Sequence, residues 1–148
     1  MIKIRSAIPG DEKAIFFLIQ ELALYEKAPE QVTNSSAQLK IDLFETAVCE
    51  AIVAERDKEI IGFALYYTSY STWKGLSLYL EDFYVKANHR KCGVGTLLFD
   101  KVVALAKEKK VKRLDWQVLE WNKLAIDFYE KKGAELSNEW TNGRIYFD

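Results

Sequence analysis

One segment in the middle of the chain constrains the fold more than any other, because a basic loop with two glycines joins a predicted strand to a predicted helix. The strand covers residues 78–85, the loop covers residues 89–95, and a helical pattern of apolar residues follows. Glycine lets backbone N–H groups approach an anion, and the unpaired amides at the helix start add donors and the positive end of a dipole. Arg90 and Lys91 add positive charge. The segment therefore predicts a phosphate-binding loop.

Other nucleotide-binding motifs fit this loop less well. A P-loop ends in Gly-Lys-Ser/Thr, whereas Gly95 precedes a Thr-Leu pair. A Rossmann loop needs a third small residue where this chain has Leu98, although Asp115 does lie at the spacing of a ribose-binding acid. A buried Rossmann strand is also continuously apolar, and Glu81 and Asp82 interrupt this one. A tight turn without a ligand stays open as an alternative.

The two adjacent carboxylates, Glu81 and Asp82, lie in the middle of the predicted strand. Neighbouring residues of a regular strand face opposite sides, so in a sheet covered on both faces one of them must line a cavity or a distortion. An exposed face of the strand is the alternative. Because they directly precede the loop, we expect a carboxylate near the far end of a bound cofactor, where it can receive a proton.

A third segment, residues 120–134, carries a predicted helix. Asn122, Ala125 and Tyr129 share one face of it, with Phe128 beside them. Taken alone, this pattern is typical of an amphipathic helix with aromatic core residues. Asn122 is also expected to cap the helix, which should end before Gly133.

Length and composition exclude several classes of protein. A chain of 148 residues, 49% hydrophobic, can bury one core, and we predict a single domain over residues 1–148. The net charge of −1, with dispersed basic residues, argues against a nucleic-acid partner. The first residues lack the apolar core of a signal peptide and no apolar run reaches transmembrane length, so we expect no membrane partner.

Cysteine and histidine usage points to a cytoplasmic protein without a metal. Cys49 and Cys92 are expected to be reduced thiols, and His89 is the only histidine, so no zinc-type cluster of Cys and His can form. Cys92, close to a helix start, is an alternative nucleophile. Its position inside the loop favours a packing role.

The order of predicted elements is β-α-α-β-β-β-α-β-α-β-β, which predicts an α/β (α+β mixed) fold with a mixed sheet covered by helices on both faces. The helices start at Asp11, at the capping-type sequence Asn34-Ser35-Ser36, after the glycine loop and at Asn122. The strands are expected at about residues 2–7, 51–56, 60–67, 77–86, 113–119, 134–138 and 143–147.

The spacing Arg90-x-x-Gly93-x-Gly95 between a strand and a helix resembles the acetyl-CoA pyrophosphate loop of the GNAT superfamily of N-acetyltransferases. Further blocks along the chain are similar to the spermidine/spermine (diamine) N-acetyltransferases and their thialysine-specific members. These blocks are Glu21-Leu22-Ala23-x-Tyr25-Glu26, Gly62-Phe63-Ala64-x-Tyr66-Tyr67, Trp73, Tyr79-Leu80-Glu81-Asp82-Phe83, Glu120-Trp121-Asn122 and Phe128-Tyr129-x-x-x-Gly133-Ala134.

The resemblance implies a GNAT fold: a central, mostly antiparallel mixed sheet of about seven strands flanked by about four helices. It also implies a homodimer, with acetyl-CoA as cosubstrate and a small-molecule amine as acceptor. The acetyl group would pass directly to a primary amine of a polyamine, a diamine or a lysine-like molecule. A catalytically silent CoA-binding sensor, or an enzyme acting on a protein lysine or N-terminus, remains an alternative.

The resemblance also implies roles for individual residues. Glu81 would accept the ammonium proton through a water molecule, and Tyr129 would protonate the departing thiolate. The expected cofactor-binding residues are Phe83, Tyr84, Val85, Arg90, Lys91, Cys92, Gly93, Val94, Gly95, Thr96, Asn122, Ala125, Phe128 and Tyr129. The expected amine-binding residues are Tyr25, Glu26, Trp73, Glu81, Asp82 and Glu139.

Overall fold

The structure of the protein is a computed structural model that describes residues 1–147, and its contacts divide the chain into two units, Met1–Gln117 and Val118–Asp148. The first unit contains strands β1 (Ile2–Ser6), β2 (Glu50–Arg56), β3 (Glu59–Ser71), β4 (Gly75–Val85) and β5 (Arg113–Asp115). Its helices are α1 (Glu12–Tyr25), α2 (Ser36–Phe44) and α3 (Val94–Glu108). The second unit contains α4 (Lys123–Lys131).

The five strands form one sheet in the order β1-β2-β3-β4-β5. The first three pairings are antiparallel, and β5 runs parallel to β4 after the crossover through α3. This confirms the predicted mixed, mostly antiparallel sheet. A parallel pair needs such a crossover, whereas antiparallel neighbours need only a turn.

The prediction of about seven strands was too high for the part of the chain described here. Residues 134–138 and 143–147 form no strand, and β5 ends at Asp115 rather than near residue 119. Most side chains after residue 134 are exposed, including Ile145 and Phe147, so the alternating pattern there does not correspond to a buried face. Alternation alone does not supply a partner strand.

Helices cover both faces of the sheet, as predicted. On one face Ile15 and Leu18 of α1 pack with Val53, Phe63 and other buried side chains in a core that α2 joins through two leucines. On the other face, Leu98 of α3 lies against the backbone of Gly62. The apolar pattern predicted after the glycine loop is therefore the face that α3 buries.

The helix starts differ in how they are capped. The Oγ of Ser35 accepts a hydrogen bond from the amide of Gln38 at the start of α2. Asp11 occupies the predicted N-cap position of α1, but its carboxylate accepts from Arg5 at 2.7 Å and from the amide of Ile8 at 2.8 Å instead of capping the helix. Asp11 thus ties the β1–α1 connection to the sheet.

Gly62 offers a test of the packing between β3 and α3. A Cβ at this position would lie 2.9 Å from the carbonyl oxygen of Tyr84 and 3.1 Å from Leu98. We expect Gly62→Ala to lower the free energy of unfolding by about 1–3 kcal/mol through overpacking. Gly143→Ala is the matched control, because a Cβ there meets nothing within 4 Å. Urea unfolding of both variants measures the difference, and equal stability of the two would contradict this description of the interface.

Candidate active site

The ladder between β3 and β4 is interrupted at Glu81. Leu65 pairs with Asp82 but Tyr66 pairs with Leu80, so Glu81 has no partner on β3. This is a β-bulge, which inserts one extra residue into one strand and bends it locally. The distortion that the two adjacent carboxylates predicted is therefore present at the first of them.

Three carboxylates interact beside this bulge: Glu26 at the end of α1, Glu81 and Asp82, hereafter the acidic cluster. Glu81 is exposed and Asp82 is half-buried. Burial raises the pKa of Asp82 to about 7, and the negative charges of Glu81 and Glu26 add to the increase. Burial also raises the pKa of Glu26. An acid whose pKa lies near neutrality is suited to exchange protons at physiological pH.

Two tyrosines that sequence reasoning did not assign to the site lie next to the acidic cluster. Tyr67 and Tyr79 pair across β3 and β4, and their ring centroids are 5.3 Å apart. Burial raises the pKa of each hydroxyl, and the charge of Glu81 raises both further. Aromatic faces beside a carboxylate can bind a cation. The register of the hairpin identifies this pair, and the sequence alone does not show that register.

The structure does not bring Trp73 to the acidic cluster. Trp73 lies in the turn between β3 and β4, where the Oγ of Ser71 accepts a hydrogen bond from its amide, and its side chain is 87% exposed. Five residues of strand separate the turn from Tyr66 at the bulge, a distance of roughly 15–20 Å. Glu139 belongs to the second unit, where it is exposed and outside any helix or strand. Both amine-binding assignments stay predictions.

The glycine loop leaves the start of α3 open. Gly93 is the N-cap residue, with the left-handed φ of 84°, and no side chain of the described residues caps the helix there. The first hydrogen bond of the helix runs from the amide of Leu97 to the carbonyl of Gly93. The amides of residues 94–96 are therefore not used within the helix, and α3 differs from α2 in that no side chain of the described residues caps them. Exposed donors at a positive dipole end suit a diphosphate.

The other residues expected at the cofactor fall into two groups. Lys91, Cys92 and Thr96 are exposed, and the Cys92 Sγ lies 3.6 Å from the carbonyl of Arg90. Tyr84, Val85 and Val94 have buried side chains, and the ring of the half-buried Phe83 packs edge-on against Phe99 at 5.8 Å. The buried residues of this group therefore offer a ligand their backbone rather than their side chains.

Arg90 belongs to neither group, because its side chain is bound to other parts of the protein. Its Nε donates a hydrogen bond to the carbonyl of Val85 at 2.9 Å. Its guanidinium lies over the rings of Tyr25 and Tyr84, with the Cζ atom 5.1 and 5.2 Å from the two centroids. The predicted amine-binding residue Tyr25 and the predicted phosphate-binding residue Arg90 are thus in contact.

In the second unit, α4 starts and ends as the sequence predicts. The side chain of Asn122 accepts a hydrogen bond from the amide of Ala125, and Gly133 follows the helix with a φ of 87°. Tyr129 is buried, and its ring centroid lies 5.6 Å from that of Phe128. The cofactor-binding and catalytic roles of these residues stay predictions.

Neither a metal centre nor a membrane span was found in the described part of the chain. No group of three or more His, Cys, Asp or Glu side chains among residues 1–147 could hold a metal ion. None of the described helices is long and apolar enough to cross a membrane.

The raised pKa of Asp82 predicts a pH dependence of stability. Between pH 3.8 and about pH 7 the folded protein keeps a proton on Asp82 that the unfolded chain releases. The contribution of this group to stability is therefore complete at low pH and is lost as the pH rises through that window. Asp82→Asn does not titrate, so its free energy of unfolding relative to the wild type should increase from about pH 5 to about pH 8. Urea unfolding of both proteins at the two pH values measures this difference. A difference between variant and wild type that stayed constant with pH would contradict the burial of Asp82.

Comparison with known proteins places this geometry in a family. Residues 16–134 match the acetyltransferase (GNAT) family. The chain is 43% identical over 143 residues to thialysine N-epsilon-acetyltransferase of Bos taurus, and the alignment covers 90% of this chain and 84% of that protein. It is 33% identical over 146 residues to spermidine/spermine N(1)-acetyltransferase-like protein 1 of Homo sapiens, covering 93% of this chain and 21% of the relative.

The fold is also found in a crystal structure of an aminoglycoside acetyltransferase from an uncultured soil metagenomic sample. The two structures align with a TM-score of 0.80 at 18% identity, over 99% of this chain and 97% of the other. The glycine loop before α3 and the mixed, mostly antiparallel sheet agree with what the sequence and its resemblance implied. The chain belongs to the GNAT family and is an N-acetyltransferase.

Proposed function

We propose that the protein transfers the acetyl group of acetyl-CoA directly to a primary amine of a polyamine, a diamine or a lysine-like small molecule. The observation that supports this most strongly is the acidic cluster at the β4 bulge, with the Tyr67–Tyr79 pair beside it. The relatives are named for thialysine and for spermidine/spermine, which are cationic amines. Their names and the charge of the cluster favour the same class of acceptor.

Proton removal is the first requirement of this chemistry. An alkyl ammonium has a pKa near 10.4 and is not nucleophilic, so the site must accept its proton before attack. The exposed carboxylate of Glu81 is the proposed acceptor, through a water molecule. Asp82 is a second candidate, because its pKa of about 7 leaves it partly ionised at neutral pH.

A second positive charge on the acceptor would be held by the rest of the site. Glu26 and Asp82 attract it by charge, and the faces of Tyr67 and Tyr79 can bind it by a cation–π interaction. These groups surround Glu81 without needing to exchange a proton with the reacting nitrogen. Charge spacing along the acceptor would then determine selectivity.

Acetyl-CoA supplies the acetyl group, and the residues at the start of α3 fit its diphosphate. The free amides of residues 94–96 would hold the diphosphate, with Lys91 adding positive charge. The phenol of Tyr129 would donate its proton to the thiolate sulfur, since an ordinary phenol pKa near 10 suits protonation of a thiolate held close to it. Asn122, Ala125 and Phe128 are proposed to contact the pantetheine arm.

We also propose that both units serve one catalytic domain spanning residues 1–148, and that the enzyme works in the cytoplasm as a homodimer. These points rest on the family resemblance and on the composition. The alternative of a silent CoA-binding sensor is disfavoured, because the chain keeps both Glu81 and Tyr129, the residues proposed to move protons.

The roles within the acidic cluster can be separated by steady-state kinetics. Glu81→Gln should lower kcat about 10²-fold for every amine, because the proton acceptor is lost. Glu26→Gln should mainly raise KM for thialysine and 1,4-diaminobutane and leave butylamine unaffected, because a remote anchor acts in the ground state as well as in the transition state. Thiol release from acetyl-CoA measures both constants.

The control for a general loss of negative charge is Glu45→Gln, since Glu45 is exposed at the end of α2 and outside the cluster. It should match the wild type with all three amines. Glu81→Gln with normal turnover, or Glu26→Gln that affects butylamine and 1,4-diaminobutane equally, would contradict the assignment.

A further inference from the structure

We propose that Arg90 is a positioning residue: its side chain ties α1 to the end of β4 and thereby sets the direction of the loop amides at the start of α3, rather than pairing with the diphosphate itself. The inference rests on the proposed acetyl-CoA site. It changes the role that the sequence assigns to the most prominent basic residue of that site.

The contacts of Arg90 come from two elements that are distant in sequence. Tyr25 is the last residue of α1, and Tyr84 and Val85 are the last two residues of β4. The guanidinium lies over both tyrosine rings, and Nε is hydrogen-bonded to the Val85 carbonyl. A planar, delocalised guanidinium is suited to stacking on rings while donating in its own plane.

Glu21 extends this arrangement along α1. It lies one turn before Tyr25. Burial raises the pKa of the Tyr84 hydroxyl, the charge and hydrogen bond of Glu21 add to the increase, and Arg90 opposes it. The Oε2 atom of Glu21 is buried and has no hydrogen-bond partner among the described residues.

Arg90 is also the last anchored residue before α3. Lys91 has a left-handed φ of 65°, and Gly93 follows with a φ of 84°. Residues 91–93 are exposed, and in the described structure the Cys92 thiol reaches only the Arg90 carbonyl. The exposed residues 91–93 are therefore held at one end by the contacts of Arg90 and at the other by the buried Val94 of α3. A change at Arg90 would alter the path by which the loop enters the amides of residues 94–96.

Two substitutions at this position distinguish positioning from direct charge pairing. Arg90→Lys keeps the charge but loses the planar fork, and Arg90→Met loses both. If Arg90 positions the loop, both variants should weaken acetyl-CoA binding by a similar factor, about tenfold or more, and the salt dependence of binding should stay that of the wild type. If Arg90 pairs with the diphosphate, Arg90→Lys keeps most of the affinity, and Arg90→Met flattens the salt dependence. The second pattern would overturn the inference.

Isothermal titration calorimetry with acetyl-CoA at two salt concentrations gives these values, and thermal unfolding checks that each variant is folded. A second pair of variants carries the test if the Arg90 variants do not fold. Tyr25→Leu removes one of the stacked rings and should weaken acetyl-CoA binding, whereas Tyr25→Phe keeps the ring and should restore most of it. Equal affinities of the two Tyr25 variants would count against positioning.

Gly95→Val separates this inference from the proposed function on which it rests. A side chain at Gly95 should block the approach of an anion to the helix start and weaken acetyl-CoA binding whatever Arg90 does. If Gly95→Val loses affinity while Arg90→Lys keeps it, only the positioning role fails. If folded Gly95→Val binds acetyl-CoA like the wild type, the loop assignment fails and the positioning role fails with it.

Discussion

The bulge at Glu81 is the feature on which the arrangement of the site depends. Residues 79 and 82 are three apart, so regular alternation would place Tyr79 and Asp82 on opposite faces of β4. The extra residue reverses the alternation. Tyr79 pairs with Tyr67 and Asp82 pairs with Leu65, and both pairs therefore face α1. A single inserted residue thus brings a carboxylate of raised pKa and an aromatic pair to one side of the sheet.

The same strand leads to the anion-binding part of the site. Three residues after Asp82, β4 ends at Val85, and the chain passes through the glycine loop to the uncapped start of α3. The acidic cluster, proposed to hold a cationic acceptor, and the helix start proposed to hold the diphosphate of acetyl-CoA are thereby attached to one strand. Sites built on strands and helix ends hold their geometry more precisely than sites on loops. The contacts of Arg90 with Tyr25 and Tyr84 attach the beginning of the loop to α1 and to the end of β4.

Much of the fold could be predicted because its signals are local. Apolar periodicity identified α3, and residues whose side-chain oxygens can cap a helix marked the starts of α2 and α4. The bulge could not be located in this way, since it is a property of the pairing between two strands. The predicted strands after residue 134 failed for the same reason, because an alternating pattern does not provide a partner.

The candidate site was predictable in its residue types and less so in its contacts. Glu81 and Asp82 stood out as charges in an apolar strand, and Glu26, which the resemblance implied as an amine-binding residue, lies close enough to raise the pKa of Asp82. Tyr67 and Tyr79 were hidden, because each looks like an ordinary strand residue until the register is known. Arg90 is predicted to bind phosphate from its charge, and the structure adds the two tyrosine rings over which that charge lies.

The central claim is that the acidic cluster selects an acceptor with a second positive charge. Its most direct test is the ratio of kcat/KM for 1,4-diaminobutane to that for butylamine, measured with the wild-type enzyme at low and high salt. The two amines share one chain length and differ in the distal ammonium group. If the cluster attracts the distal ammonium group, this ratio of kcat/KM values should be well above one at low salt and should decrease as salt screens the cluster. A ratio of one at both salt concentrations would contradict it and would direct the search toward an uncharged or macromolecular amine.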